Sequence, residues 1–393
     1  MLTQVDVSVV AQAIAPIDVE ALEIIVSRAL AKPIEVLDWQ VTLLGGLDSS
    51  PMAGGVYRVT GTACSKVADQ LAITHEWDVV VKVLRSPAGM IMPDGTMIPK
   101  EMADDQQGFS FWQRESFVAQ SNFENKLPVG LRIPQYLGTT HISDYECWLW
   151  QAYLPPDHHW TWDDYYTAAY RLGTWHAQPN DRAHHNWFSQ NWMVSWVHGP
   201  LSRIFAMVDE INGYEHPLLG AYFAPEELAT LQELWRNRQN YLDRLAQLPQ
   251  TLCHLDAHRG NMNWQGDDLM LLDWAFVGEA ALGEELAAFV GATLLLDYVA
   301  IDDAEQLEQV ALSGYIAGLR AEGWMGDEVD IWEAYRCAMP LRYAPASLVS
   351  ILRTVVQPEF AATWVEQAGK PLADILAHRA GLVRFYLSRL QER

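Results

Sequence analysis

His254-Leu255-Asp256-Ala257-His258-Arg259-Gly260-Asn261, followed by the apolar run Leu269-Met270-Leu271-Leu272 and then Asp273, carries the chemistry legible in this chain. An Asp and an Asn five residues apart on one tight loop offer a base and an oxygen ligand together. Asp273 ends a short strand-like run, and a turn at Gly266-Asp267 would fold that strand back beside the loop. Both ligands then face one ion. Transfer of a phosphoryl group to a hydroxyl requires such parts: a carboxylate that accepts the hydroxyl proton, and hard oxygen donors for Mg²⁺. The spacing therefore predicts Asp256 as the base, with Asn261 and Asp273 as metal ligands.

A cation must grip the phosphates. Lys82 lies in a β-branched run, Trp77-Asp-Val-Val-Val-Lys-Val-Leu84, where a lysine must reach a polar face or find a partner. Glu115, in the next helical segment, is the expected partner. The loop from Gly45 to Gly55 would lie over the phosphates, and Gly54 and Gly55 would let backbone N–H groups approach. It matches neither the Walker pattern nor Gly-x-Gly-x-x-Gly.

Around these residues the chain reads as two regions. Asp18 to Leu30 is an amphipathic helix with Leu22, Ile25, Val26 and Leu30 on one face. Ile34–Leu44, Val56–Thr60, Trp77–Leu84, Arg132–Gly138 and Cys147–Leu154 read as strands of an antiparallel sheet, with a helix at Phe109–Ser121. Residues 87–108 form a long polar insertion, read as lid-like. Thr161-x-x-Asp164 is a capping-box start, and beyond it the reading is mainly helical. The expected fold is α+β: residues 1–155 a small antiparallel-sheet lobe with one main helix, residues 156–393 a larger, mostly helical lobe.

The 393 residues exceed one ordinary core, which supports two lobes. The net charge of -24 argues against nucleic acid and anionic membrane surfaces. It would also attract a cationic substrate, though solubility accounts for it as well. Cys64, Cys147, Cys253 and Cys337 are scattered without a Cys-x-x-Cys pair, so neither a zinc site nor a disulfide framework is expected. Residues 1–15 lack a basic n-region, and no apolar run is long enough for a span. The expected location is a reducing cytoplasm, as a monomer or homodimer.

The loop resembles the His-Gly-Asp-x-His-x-Gly-Asn pattern of the aminoglycoside phosphotransferase and choline kinase-like family, which has a protein-kinase-like fold. Leu272-Asp273-Trp274 resembles that family's metal-binding segment, and Gly283-Glu284-Glu285-Leu286-Ala287 its Gly-x-Asp-Leu-Ala. Leu172-Gly-Thr-Trp-His176-Ala177 and Trp112-x-Arg114-Glu115 resemble two of its helices. The resemblance implies the same roles for Asp256, Asn261, Asp273, Lys82 and Glu115. It also implies a hinge at Gln151–Leu154, with Ala152 and Leu154 meeting the nucleobase of ATP, or of GTP. Leu255 departs from the usual Gly, and Glu285 from the usual Asp.

The expectation is transfer of the ATP γ-phosphoryl to a hydroxyl of a small molecule: an aminoglycoside or other cationic or natural-product alcohol. The alternatives are a choline, amino-alcohol or sugar kinase, or a nucleotide-binding pseudokinase. Plainer readings stand beside these. His254 and His176 read as structural, Arg259 as either a phosphoryl contact or a surface partner, and Asp163 and Asp164 as helix-cap acids. Trp160, Trp162, Tyr165 and Tyr166 read as core, and His158-His159 and His184-His185 as too isolated for a metal.

Overall fold

The computed structural model describes residues 17–46, 52–65, 73–92, 96–178, 185–210 and 212–390. The leader reading of residues 1–15, residues 47–51 of the glycine loop, residues 93–95 of the insertion and His184 lie outside these. The chain forms two compact units. One comprises the described residues of Met1–Gln106, Ser110–Leu127 and Arg132–Asp157; the other those of Gln107–Phe109, Pro128–Leu131 and His158–Arg393.

In the first unit, helix α1 (Val19–Ala29) is capped by the Asp18 carboxylate, which accepts the N–H of Ala21. Strands β1 (Ile34–Gly45), β2 (Ala53–Ser65), β3 (Thr74–Arg85), β4 (Tyr136–Ser143) and β5 (Glu146–Ala152) form an antiparallel sheet in the order β1-β2-β3-β5-β4. The two-residue period of β3 divides its side chains. Val79, Val81 and Val83 pack with Leu22, Ile25 and Val26 of α1 and with Trp148 and Trp150 of β5. Lys82 and Leu84 point to the other face, where Leu84 packs against Trp112, Cys147 and Leu149.

Several boundaries differ from expectation: β2 and β3 run longer than expected, and β5 ends at Ala152 rather than Leu154. Helix α2 is only Arg114–Gln120. Before it, Phe111 and Trp112 are buried as anchors, Phe111 packing edge-on against Phe117 at 5.3 Å. The run read as one strand from Arg132 is split: Leu131–Arg132 is a separate two-residue strand and β4 begins at Tyr136, with Pro134 between them lacking an N–H for a ladder. Gly54 and Gly55 belong to β2, at an irregularity between Ala53 and Val56. Within 87–108, the bridge Ile91–Met97 and the short helix Lys100–Ala103 give the insertion structure of its own.

The second unit opens with helix α3 (Trp162–His176), whose capping box is closed by Thr161 and Asp164. Strand β6 (Gln250–Cys253) leads into the His254–Asn261 loop. The hairpin β7 (Met262–Gln265) and β8 (Asp268–Leu271) follows, turning at Gly266 with φ +61°. Strand β9 (Gly278–Ala281) returns to pair with β6. Helix α4 (Glu285–Leu295) is buried nearly throughout. Helix α5 (Ala304–Ala321) packs on α3 so closely that a Cβ on Gly318 would lie 2.0 Å from the Tyr170 carbonyl oxygen. Helices α6 (Glu328–Val356) and α7 (Leu372–Ser388) complete the core. Among the described residues, no helix is long and apolar enough to cross a membrane.

Candidate active site

In the second unit the candidate site is built from one loop and its supports. His254 is fully buried. Its Nδ1 accepts the N–H of Asp256 at 3.2 Å and its Nε2 donates to the Leu272 carbonyl at 2.9 Å. That pattern needs a neutral ring, and burial pushes its pKa down to about 4. The imidazole therefore braces the loop. Leu272 in turn donates its N–H to the Asn261 carbonyl at 2.8 Å, and Met262 pairs with Leu271. These bonds bring the Asp273 backbone beside that of Asn261. Asp273 has φ +60° and begins a single 3₁₀ turn, Trp274–Phe276.

Both oxygens of Asp256 are engaged. Arg342, from α6, donates to Oδ1 at 2.8 Å, and Asn261 Nδ2 donates to Oδ2 at 2.9 Å and to the Asp256 carbonyl at 3.0 Å. His258 Nε2 approaches Oδ2 at 3.7 Å, while its Nδ1 accepts the N–H of Gly260 at 3.0 Å. Burial opposes ionisation of Asp256, but His258 and the Arg342 charge outweigh it and hold the carboxyl well below the usual range. A carboxylate offers about four acceptor sites, so two donors leave capacity for a hydroxyl.

Glu285, at the start of α4, accepts the N–H groups of Leu255 at 2.8 Å and Ala257 at 3.0 Å. The longer Glu thus reaches the loop backbone from a buried position. Glu284 is buried as well and accepts the Ala281 N–H at 3.2 Å; burial pushes its pKa up to about 7. Arg259 rests over Trp160 at 4.5 Å and donates to the Met262 carbonyl at 3.0 Å, the arrangement of a structural side chain.

In the first unit, Lys82 Nζ meets Glu115 Oε2 at 2.5 Å, with the two side chains 14% and 2% exposed. The sheet's pleat aims Lys82 to the α2 side, and Glu115 sits in the first turn of α2. The glycines have a local steric role: a Cβ on Gly54 would lie 2.3 Å from a Val83 methyl, and Gly55 has φ +103°. The Ala152 N–H, in the segment expected as the hinge, donates to the Gln135 carbonyl at 2.9 Å.

Sequence reasoning did not single out Arg342 or the aromatics around it. Arg342 lies 4.3 Å over Trp192, whose ring adjoins Phe109, Trp196 and Phe276. The available signal was a lone charge in Met339-Pro-Leu-Arg342-Tyr-Ala-Pro345. His176, Cys253 and Glu285 also lie close enough to share an ion, yet Glu285 is occupied by the loop and His176 Nδ1 by the Tyr315 hydroxyl at 2.8 Å. The four cysteines are all free thiols.

The phosphotransferase enzyme family matches residues 128–324, half of the chain, and the protein belongs to that family. Spectinomycin phosphotransferase, solved with ADP and spectinomycin, is similar in fold at 13% identity and TM-score 0.51, covering 96% of this chain and 100% of its own. The fold is accordingly protein-kinase-like, with the antiparallel sheet N-terminal and the helices C-terminal. An amicoumacin kinase solved with AMP-PNP, Ca²⁺ and Ami is 12% identical, with TM-score 0.47 and coverage of 89% and 87%. The choline kinase of Streptococcus pneumoniae is 14% identical, with TM-score 0.42 and coverage of 94% and 98%. No curated protein matches the sequence.

Proposed function

We propose that this enzyme transfers the γ-phosphoryl of ATP to a hydroxyl of a small molecule, with Asp256 as the group that accepts the hydroxyl proton. The observation that carries the proposal is the grip on Asp256. Its carboxylate is held at both oxygens, by Arg342 and Asn261, and its loop is braced by His254 and Glu285. A group fixed in this way is oriented before substrate arrives, which removes reorganisation from the reaction barrier.

Asn261 and Asp273 are hard oxygen donors on adjoining backbone, a set suited to Mg²⁺. Bound there, Mg²⁺ would neutralise phosphate charge. Asn261 spends its Nδ2 on Asp256, which leaves its Oδ1 as the donor for an ion. Lys82, aligned by Glu115, would meet the nucleotide phosphates, with the backbone at Gly54 and Gly55 alongside. The Ala152 carbonyl and Leu154 would meet the base. In this reading residues 1–155 serve the nucleotide and residues 156–393 the catalytic groups and acceptor.

For the acceptor, the net charge of -24 favours a cationic alcohol, such as an aminoglycoside or choline, over a neutral sugar. Calorimetric titration with Mg·ATP and Mg·GTP, then ADP release across aminoglycosides, choline and neutral sugars, tests the reading. Absence of Mg·nucleotide binding would refute it, and turnover of neutral sugars alone would reject the cationic acceptor.

A further inference from the structure

Leu255 is buried, 1% exposed, and has φ +67°, a left-handed conformation that a leucine adopts only under constraint. Its peptide neighbour is Asp256, so any relaxation at Leu255 swings the carboxylate. The constraint comes from two sides. Glu285 accepts the N–H groups of Leu255 and Ala257, and Arg342 donates from Nη1 to the Leu255 carbonyl at 2.7 Å. The same guanidinium donates from Nη2 to Asp256 Oδ1 at 2.8 Å. One planar fork therefore ties the strained peptide and the reactive carboxylate into a single rigid piece.

The fork is itself immobilised. It is 8% exposed, faces Glu284 and Glu285, and lies over Trp192. Its helix α6 contains Pro340 and Pro345, which bracket Arg342 and remove the intrahelical N–H bonds to the carbonyls of residues 336 and 341. An arginine needed only for charge balance would not require both nitrogens on two successive residues of the loop.

We infer that Arg342 is a positioning residue: it locks Leu255 in its left-handed conformation and thereby fixes the direction of the Asp256 carboxylate. The inference rests on the reading of Asp256 given above, so its test includes a readout that needs no turnover. Hydrogen exchange of the loop amides 255–261, followed by mass spectrometry, reports the lock directly. Arg342→Met should speed their exchange by about tenfold or more while leaving the α7 amides unchanged. Arg342→Lys keeps the charge but loses the fork, and should give an intermediate acceleration. It also decides the matter if Arg342→Met fails to fold.

In parallel, ADP release from Mg·ATP with the acceptor panel should show kcat reduced by about 10²-fold in Arg342→Met, with nucleotide KM unchanged and partial recovery in Arg342→Lys. Loop exchange unchanged in Arg342→Lys would overturn the lock, whatever the turnover. Faster loop exchange with kcat unaltered would overturn the positioning of Asp256. If the wild type itself releases no ADP, the phosphotransfer reading fails, and with it the role assigned to Arg342, while the exchange arm still decides whether the lock exists.

Discussion

Glu285 accepts the backbone N–H of Leu255 at 2.8 Å, and its second oxygen accepts that of Ala257 at 3.0 Å. This one buried carboxylate holds the two peptides on either side of Asp256. Glu285→Ala would leave both N–H groups buried without an acceptor, at about 1–3 kcal/mol each. Urea denaturation should show a loss of about 2–6 kcal/mol. ADP release should fall far more than in surface variants. Unchanged stability would mean that the loop does not depend on Glu285.

The Lys82–Glu115 pair separates structural from chemical contributions. Lys82→Met removes the cation next to a buried carboxylate and should cost about 1–3 kcal/mol, while lowering turnover by about 10²-fold. The double variant Lys82→Met/Glu115→Leu removes the stranded charge as well. Thermal unfolding should return toward wild type while turnover stays low. Recovery of both would make the pair purely structural.

Glu284 sets a pH dependence of stability. Its folded pKa, about 7, lies above its ordinary value of 4.5 because burial disfavours the charge. Between these values the folded state binds more protons than the unfolded state, so stability falls as pH rises from about 4.5 to 7. The loss is at most about 3 kcal/mol. His254 works in the opposite direction, since its folded pKa is depressed. The informative quantity is therefore the difference between wild type and Glu284→Gln. Denaturation curves from pH 4.5 to 7.5 should show the variant gaining relative stability with rising pH. A pH-independent difference would contradict the assignment.

Away from the loop, Glu308, Arg389 and the Tyr335 hydroxyl form a buried cluster, with Tyr335 donating to Glu308 at 2.7 Å and Arg389 paired to its other oxygen. Glu308→Ala strands a buried guanidinium, and a cost of about 3–5 kcal/mol is expected. Chemical denaturation checks it. A change below 1 kcal/mol, the scale of an exposed pair, would show the cluster to be solvated.

The candidate loop was legible because phosphoryl transfer demands fixed residue types at fixed local spacing, and the two-residue period of β3 made Lys82 stand out among valines. The hidden part depends on contacts distant along the chain. Arg342 lies 86 positions beyond Asp256, in a helix whose pattern reads as ordinary core. Phe109, Trp192 and Phe276 meet only after folding. Glu284 and Glu285 looked alike in sequence, yet one holds the loop and the other the turn at Ala281. The α2 start was misplaced because Phe111 and Trp112 fit a helical period equally well as anchors preceding the helix.

The most direct test follows the label from γ-labelled Mg·ATP into the acceptor panel, using wild type and Asp256→Asn side by side. The substitution preserves shape and removes the carboxylate. The account predicts labelled acceptor with wild type and a loss of at least about 10²-fold with the variant, nucleotide binding being retained by calorimetry. Transfer by Asp256→Asn at the wild-type rate would contradict the role given to Asp256.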